Sequence, residues 1–499
     1  MSVPSVSEST NKPSSLAWPA LQKGLVFAAL TLYLLTKLVP LVNHDLWHLM
    51  ALARQAIQSG HIPTGDVFSY APTFPVVVHH EWLCGFIALA ALSIPHGLAW
   101  VWLALIAVLV WFIVWALRDL EPAFLLLAGL LVGPLAMYSH IMPVLAQAYS
   151  VVFTGVLLYG FELHRRGSRS WMAVWIPVWL LWINMHGGIM AGAALVEFFI
   201  LEQLIRRDSI RALLGLLTLM GVLVLVNPDG WHYFLFLLRA LTVRTPEVPQ
   251  WHSNWLWNGA WGFALPYLVS VLILAAVTWR KGIRGAGTIV ACGMACVAII
   301  AHKLLPFYAL AWLYWAGKQA WRCSPGQSVA AALISMAAIP WLAFGVAAQR
   351  PWAILLPGDN PSYFGDHFTQ PIGPADFLAA RGFRGNVMTY FHHGAYMSWR
   401  LYPAVKVSCD ARYYDAYPPA DVDRNFALYL HSPQLLPQEL QRLPKTDAIL
   451  CFRLSPLAPE LAKLGWPRVY DDDAFVLYAR PGLDLPYQDR RGQSIRQWF

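Results

Sequence analysis

The sequence predicts a polytopic α-helical membrane protein of about eleven spans, with one re-entrant or interfacial segment and a C-terminal soluble α/β domain. Three observations carry that prediction. Of 499 residues, 58% are hydrophobic and only 12% charged, with a mean hydropathy of +0.49, which a soluble chain does not need. Apolar stretches close to the roughly 20 residues that cross a bilayer recur down to residue 348. About half of the charged side chains fall after Arg350, where short apolar runs are punctuated by Pro, Gly and Asp.

The first apolar run, Leu25 to Val42, is long for a signal sequence and has no small-residue cleavage site behind it, so it reads as an uncleaved first span after a cytoplasmic tail, 1–21. Spans are expected at 22–42, 98–117, 122–139, 143–163, 171–185, 188–205, 212–226, 261–279, 285–301, 303–318 and 327–348, making a membrane domain over 22–349. The stretch 82–95 is apolar but too short to cross. Lys and Arg cluster at 22–23, 118, 164–169, 206–211, 280–284 and 318–322, and all six clusters share one side only if 82–95 does not cross. The external loops are then 43–82, 139–143, 184–187, 227–257 and 301–303. Residues 350–499 are then expected to lie outside as well, as an external domain.

That sidedness uses only Lys and Arg, yet it gathers histidines. His44, His48, His61, His79, His80, His140, His186, His232, His252 and His302 fall on the external face, and His164 on the other. Either they are ordinary interfacial polar residues, or they line one polar cavity at the external membrane boundary. The +8 net charge sits largely in these orienting clusters, which excludes nucleic acid as a partner. The six cysteines show no metal-ligand spacing; Cys409 and Cys451 either pair or stay free thiols.

Two segments of the first external loop carry chemistry. Asn43-His44-Asp45-Leu46-Trp47-His48-Leu49 opens an amphipathic helix to about Ser59, with Asp45 in its first turn as either N-cap or functional carboxylate. Its Leu46, Leu49, Leu52 and Ala53 side is expected to face lipid. His79-His80-Glu81-Trp82 stands at the mouth of the short apolar segment, where ionisable groups face a cavity or one another. Two carboxylates and up to four imidazoles are therefore expected to converge, with Trp47 beside them.

These residues carry a resemblance. Asp45-Leu46-Trp47-His48-Leu49, then Gly60-x-Ile62-Pro63-x-x-Asp66-x-Phe68-Ser69-Tyr70 and His80-Glu81-Trp82-Leu83, resembles the first external loop of a bacterial family in the GT-C superfamily. These are multi-span glycosyltransferases that use polyprenyl-phosphate-linked sugars. The likeness continues through Trp182-x-Asn184-x-His186-Gly187-Gly188 and Asn227-Pro228-x-Gly230. It implies an acidic residue after the first span, here Asp45, acting as base toward the acceptor or as metal ligand. Transfer from a sugar phosphate needs such a base and cations for the departing phosphate; Lys303, beside His302, and His80 are the candidates for the latter. Relatives often carry Arg-Pro where this chain has Met142-Pro143. Asp45, His48 and Glu81 are the candidate ligands for a divalent cation, Mg or Mn, although imidazole and carboxylate equally suit a metal-free site.

His186-Gly187-Gly188 suits either a ligand or close helix approach, and the aromatics around Trp231, Tyr233, Trp251 and Trp257 suit either an interfacial belt or stacking on substrate. In the external domain, strands are expected at 385–390, 404–408, 448–452 and 474–479, and helices at 374–381 and 437–443. A strand, an aromatic and His/Gly turn at 390–399, then a strand ending at Asp410 looks like the external domain of oligosaccharyltransferase catalytic subunits. Those carry Trp-Trp-Asp-Tyr-Gly where this chain has Phe391-His392-His393-Gly394-Ala395-Tyr396, so acceptor-sequon recognition is not implied. Asp410 and Arg412 read as a structural ion pair, and Asp471-Asp472-Asp473 as a solvated turn or a cation site.

The leading reading is an inverting glycosyltransferase of cell-envelope polysaccharide, with Asp45 and Glu81 catalytic and His44, Trp47, His48, His79, His80, His186, His302 and Lys303 around the substrate. Its partners would be membrane lipid, a polyprenyl-phosphate-linked sugar and a glycan, lipid or protein acceptor. The alternatives are en bloc transfer of a lipid-linked glycan, and a transporter or scaffold, for which Glu197 and Glu202 are the intramembrane charges.

Overall fold

The structure is a computed structural model that describes residues 17–38, 42–137, 146–240, 261–350, 352 and 370–491. Fourteen helices form the apolar body: α1 Ala17–Leu35, α2 His44–Ser59, α3 Trp82–Leu92, α4 Gly97–Leu117, α5 Pro122–Met137, α6 Ala146–Arg165, α7 Trp171–Met185, α8 Ile189–Arg206, α9 Arg211–Leu223, α10 Trp231–Ala240, α11 Trp261–Lys281, α12 Thr288–Ile300, α13 Leu305–Ala316 and α14 Pro325–Gln349. Each of the eleven expected apolar stretches is helical. Among the described residues, however, four helices are long and apolar enough to cross a membrane, or five if α9 and α10, bent by 111°, make one broken span. Eleven crossings are therefore not what the helix lengths show. The physical reason is clearest in α13, whose twelve residues are all buried inside the protein, so its apolarity serves packing as well as any contact with lipid.

The short α3 is about 16 Å long at 1.5 Å per residue, roughly half a hydrocarbon core. It packs on α2 at backbone distance: a Cβ on Gly85 would lie 2.2 Å from the Leu49 carbonyl oxygen. This contact corrects the expected orientation of α2. Leu46, Leu49, Leu52 and Ala53 are buried within the protein, because the other side of α2 is covered by the C-terminal domain. Asn43 caps α2 by accepting from the Asp45 N–H at 2.8 Å, which leaves the Asp45 carboxyl for another role.

The C-terminal domain contains α15 Ile372–Ala380, β1 Gly385–Met388, α16 Phe391–Leu401, β2 Val405–Val407, α17 Tyr413–Ala416, α18 Pro419–Phe426, α19 Leu436–Arg442, β3 Ala448–Phe452, α20 Leu457–Lys463, β4 Arg468–Asp471, β5 Phe475–Ala479 and β6 Gln488–Asp489. Its mixed sheet runs β2-β1-β3-β5-β4-β6, with β1 parallel to β2 and β3, and β5 antiparallel to β3 and β4. The four expected strands are present. β4 and β6 were not foreseen, since Arg468 to Asp471 alternates poorly and β6 is two residues long. The expected turn at 390–399 is instead the helix α16, whose amphipathic face buries Phe391, Ala395 and Met397.

The first loop docks on this sheet. Phe68 O accepts from Val407 N–H and Val407 O from Tyr70 N–H, both at 3.0 Å, so residues 68–70 extend the edge of β2. Arg412 closes the joint, with Nη1 2.5 Å from Asp66 Oδ1 and Nη2 2.6 Å from Asp410 Oδ2. The Asp410–Arg412 pair expected from the sequence thus acquires a third member from the membrane body. Asp471 pairs with Arg453 and Arg468, and Asp472 accepts from the Ala474 and Phe475 N–H groups, so this acidic turn is structural. Cys409 and Cys451 are free and buried. His140, His252, Met142-Pro143, Trp251 and Trp257 lie outside the described residues.

Candidate functional site

One end of the helix bundle, where α2, α3, α7, α8, α10 and α13 start or stop, meets α16 and α17 of the C-terminal domain. Asp45 stands in the first turn of α2. Its Oδ1 is buried and lies 3.3 Å from His44 Nε2, while 31% of the side chain remains accessible. Burial pushes the Asp45 carboxyl up to about 8, and the negative charges of Glu81, Asp415 and Asp410 add to that. Burial lowers His44 to about 4, so it is neutral; its ring meets those of His392 and Phe391 from α16.

Glu81, just before α3, is flanked by two imidazoles: His80 Nε2 at 3.4 Å and His186 Nε2 at 3.5 Å. The His186 tautomer follows from its surroundings. The Gly188 N–H donates to His186 Nδ1 at 2.9 Å, so Nδ1 is the acceptor and Nε2 carries the proton that faces Glu81. Ser150 Oγ, which accepts from Trp182 Nε1, holds the same nitrogen at 2.7 Å. Gly188 is required there, because a Cβ would stand 2.4 Å from Ser150 Oγ and 2.6 Å from His186 Nδ1. The close-approach reading of this motif is the one the packing at Gly188 shows, and it fixes His186 beside Glu81.

The remaining motif residues form the frame. Asn184 Oδ1 accepts from Trp82 Nε1 at 3.0 Å and from Asn227 Nδ2 at 3.3 Å. Asn227 Oδ1 accepts from the Asp229 N–H, and Asp229 Oδ2 from the His79 N–H, each at 2.9 Å. This chain ties 184, 227 and 229 to the backbone carrying His80 and Glu81. His80 stacks on Phe236 of α10 with centroids 4.8 Å apart. Burial acts to lower His80, but the Glu81 hydrogen bond and charge, with Asp415 and Asp229 behind, leave it raised and favour imidazolium.

Three further groups complete the enclosure. Burial lowers Lys303, in the turn before α13, well below the usual range of an ammonium, opposed by the charges of Asp415 and Glu81, and His302 beside it is buried. Asp415 of α17 is raised by burial, with Glu81 adding and His80, Lys303 and Arg239 opposing. Arg239 of α10 stacks over Phe74 at 4.1 Å, which positions its guanidinium beside Asp415. Asp415 and Arg239 were missed by the sequence reading: neither sits in a motif, and only the docking of the C-terminal domain brings Asp415 here.

Of the ten expected residues, Asp45, Glu81, His44, His80, His186 and Lys303 are thus brought to one enclosure, with His302 buried beside Lys303. Three are not. His48 packs edge-on against Phe68 and His79 stacks on His48, ring centroids 6.5 Å apart; burial first, then Arg412, lowers both, His79 to about 3. Trp47 packs on Tyr396 and Trp399 at the domain joint. The suggested cation ligands accordingly separate, with His48 away from Asp45 and Glu81, and no group of three His, Cys, Asp or Glu has metal-ligand geometry among the described residues. Glu202 is fully buried and paired with Arg165, and also accepts from the Gly287 N–H, a structural role rather than a transport path; Glu197 is exposed.

No family model and no curated protein matches the chain. Among solved structures it is similar to the Archaeoglobus fulgidus oligosaccharyltransferase tethered to an acceptor peptide containing an NVT sequon, with 13% identity and a TM-score of 0.47, over 88% of this chain and 69% of that one.

Proposed function

We propose that the protein is a glycosyltransferase that moves a sugar from a polyprenyl-phosphate-linked donor to an acceptor hydroxyl at the periplasmic face of the inner membrane. The observation that carries this reading is the single enclosure in which Asp45, Glu81 and Asp415 face His80, Lys303 and Arg239 at the junction of the apolar bundle and the α/β domain. Of the first-loop motifs that resemble the GT-C family, Asp45, His80 and Glu81 reach that enclosure, while Asp66 and residues 68–70 make the joint that docks the C-terminal domain over it.

Asp45, when ionised, takes the proton from the acceptor hydroxyl. The acceptor oxygen then bonds to the anomeric carbon from the face opposite the phosphate, the carbon–oxygen bond to the phosphate breaks, and the configuration inverts. Charge that develops on the leaving phosphate is met by Arg239 and the imidazolium of His80, with Lys303 donating a hydrogen bond to a phosphate oxygen. Glu81 keeps His80 charged and His186 oriented. A lipid-borne donor has a route to this place, because α10 turns Trp231, Leu235 and Leu238 outward while its Arg239 and Phe236 face the site. Asp45, His48 and Glu81 do not form a ligand set, so no step is assigned to a divalent cation.

The test is release of polyprenyl phosphate from a polyprenyl-phosphate-sugar donor by the purified protein. Asp45→Asn should abolish release while leaving the protein folded; undiminished release would remove Asp45 from the mechanism. En bloc glycan transfer is the second reading, favoured by the C-terminal domain placing Asp415 in the enclosure. A lipid-linked oligosaccharide accepted in place of the single-sugar donor would select it.

A further inference from the structure

The end of the bundle opposite the enclosure has a different composition. Lys23 at the start of α1, Arg118 after α4, Arg165 and Arg166 at the end of α6 and Lys318 after α13 meet there. α13 links the two ends, with Lys303 before it and Lys318 beyond it, about 22 Å apart along the axis.

Lys23 Nζ donates to Arg118 O at 2.8 Å. Lys318 Nζ lies 3.0 Å from Glu162 Oε2, and Arg166 Nε 3.1 Å from Glu162 Oε1. Arg118 and Arg165 both act on Lys318. Five cations thus stand against three carboxylates, Glu162, Glu202 and Asp119, a surplus of two positive charges; Arg165, Glu202, Glu162 and Lys318 are largely shielded from water, while Arg118, Arg166 and Asp119 form the exposed edge. Arg165 is mostly buried and pairs with Glu202, yet its Nε and Nη1 find no acceptor among the described residues, a costly state for a guanidinium.

The same corner has an apolar wall. Trp115 lies under both Arg118, at 5.2 Å, and Lys318, at 5.1 Å. Tyr159 meets Trp115 and Trp111 edge-on at 5.0 and 5.4 Å, and Trp111 is 48% exposed on the outer surface of α4. Trp115, Tyr159 and Trp111 thus form an aromatic wall across α4 and α6 that runs from the cationic corner toward the middle of the helices and is exposed at Trp111. Headgroup charge at one end and chain-like apolar length at the other describe one kind of molecule.

We propose that this corner is a binding site for an anionic glycerophospholipid, its phosphate held by Lys318 and Arg118 with Arg166 at the rim, and one acyl chain laid along Trp111 and Tyr159. The site is distinct from the sugar-transfer enclosure and does not depend on that reading. Glu162 is the competing internal anion, which gives the proposal a variant of opposite sign.

Native mass spectrometry of the detergent-purified full chain, titrated with dioleoylphosphatidylglycerol, dioleoylphosphatidylcholine or inorganic phosphate, tests it. Phosphatidylglycerol should bind in preference to phosphatidylcholine. Removing one cation with Lys318→Gln should weaken it about fivefold, and Glu162→Gln should tighten it about fivefold. A variant that merely misfolds cannot produce the second change. Equal binding of the two lipids, no effect of either substitution, or inorganic phosphate displacing the lipid at millimolar concentration would overturn the proposal, the last by showing a free-anion site.

Discussion

Replacing Asp45 by Asn keeps the shape of the side chain and removes its titration, and the consequence can be worked out before any activity is measured. The folded carboxyl titrates at about 8 rather than 3.8, so between those values the folded state holds a proton that the unfolded state has released. Stability therefore falls as pH rises from about 4 to about 8, and by pH 9 the native protein bears the full cost of a carboxylate beside Glu81 and Asp415. A shift of that size corresponds to a ceiling of roughly 5–6 kcal/mol. With 31% of the side chain accessible, solvent screening reduces it to about 2 kcal/mol. Asn has no such dependence, so the variant should match the wild type near pH 4 and become more stable from pH 6 upward. For a chain this long the difference is about 2 °C in Tm at pH 9. The 25 tryptophans give an intrinsic signal for melting in detergent. Melting curves that run parallel across pH 4 to 9, or a variant less stable at pH 9, would refute the burial argument.

Other perturbations have equally defined outcomes. Asp415→Asn removes a repulsion that raises Asp45, so the acid limb of the transfer rate against pH should move down by a fraction of a unit; an upward move contradicts the placement of Asp415. Gly188→Ala should lower kcat about tenfold or more by displacing His186, whereas Gly187→Ala, whose Cβ would meet only His80 Cδ2 at an ordinary 3.5 Å, should stay within twofold. Arg412→Ala leaves Asp66 and Asp410 buried without their cation and should cost about 3–5 kcal/mol, read as a lower Tm and as faster limited proteolysis within the first loop.

Much of this architecture is legible in the sequence because it rests on local pattern. Every apolar stretch that was read as a span is a helix, and strands such as Ala448–Phe452 follow their β-branched and aromatic runs. Whether each helix crosses is not local. α13 is apolar all round because protein surrounds it, and periodicity gives the same signal for a buried helix and a lipid-facing one. The site divides in the same way. Asp45 and Glu81 were legible because a carboxylate in an apolar setting is costly and needs a reason. His48 is grouped with Asp45 and Glu81 in the sequence reading as a candidate cation ligand, but the sequence leaves open what covers each face of α2, and Arg412, more than three hundred residues later, claims His48 together with His79. Asp415 required the docked C-terminal domain, which depends on the Asp66–Arg412–Asp410 joint and the residue 68–70 contact with β2, and Arg239 required the tertiary placement of α10. Neither contact leaves a mark within any short window of the chain.

The central claim is that Asp45 acts as the base for sugar transfer, and the most direct measurement is the pH dependence of single-turnover transfer from a polyprenyl-phosphate-sugar donor by the purified protein. The rate should rise about tenfold per pH unit up to a bend near pH 8 and then level, and Asp45→Asn should abolish transfer. A flat wild-type profile from pH 5 to 9, or an Asp45→Asn variant that transfers sugar with the same bend, would contradict it.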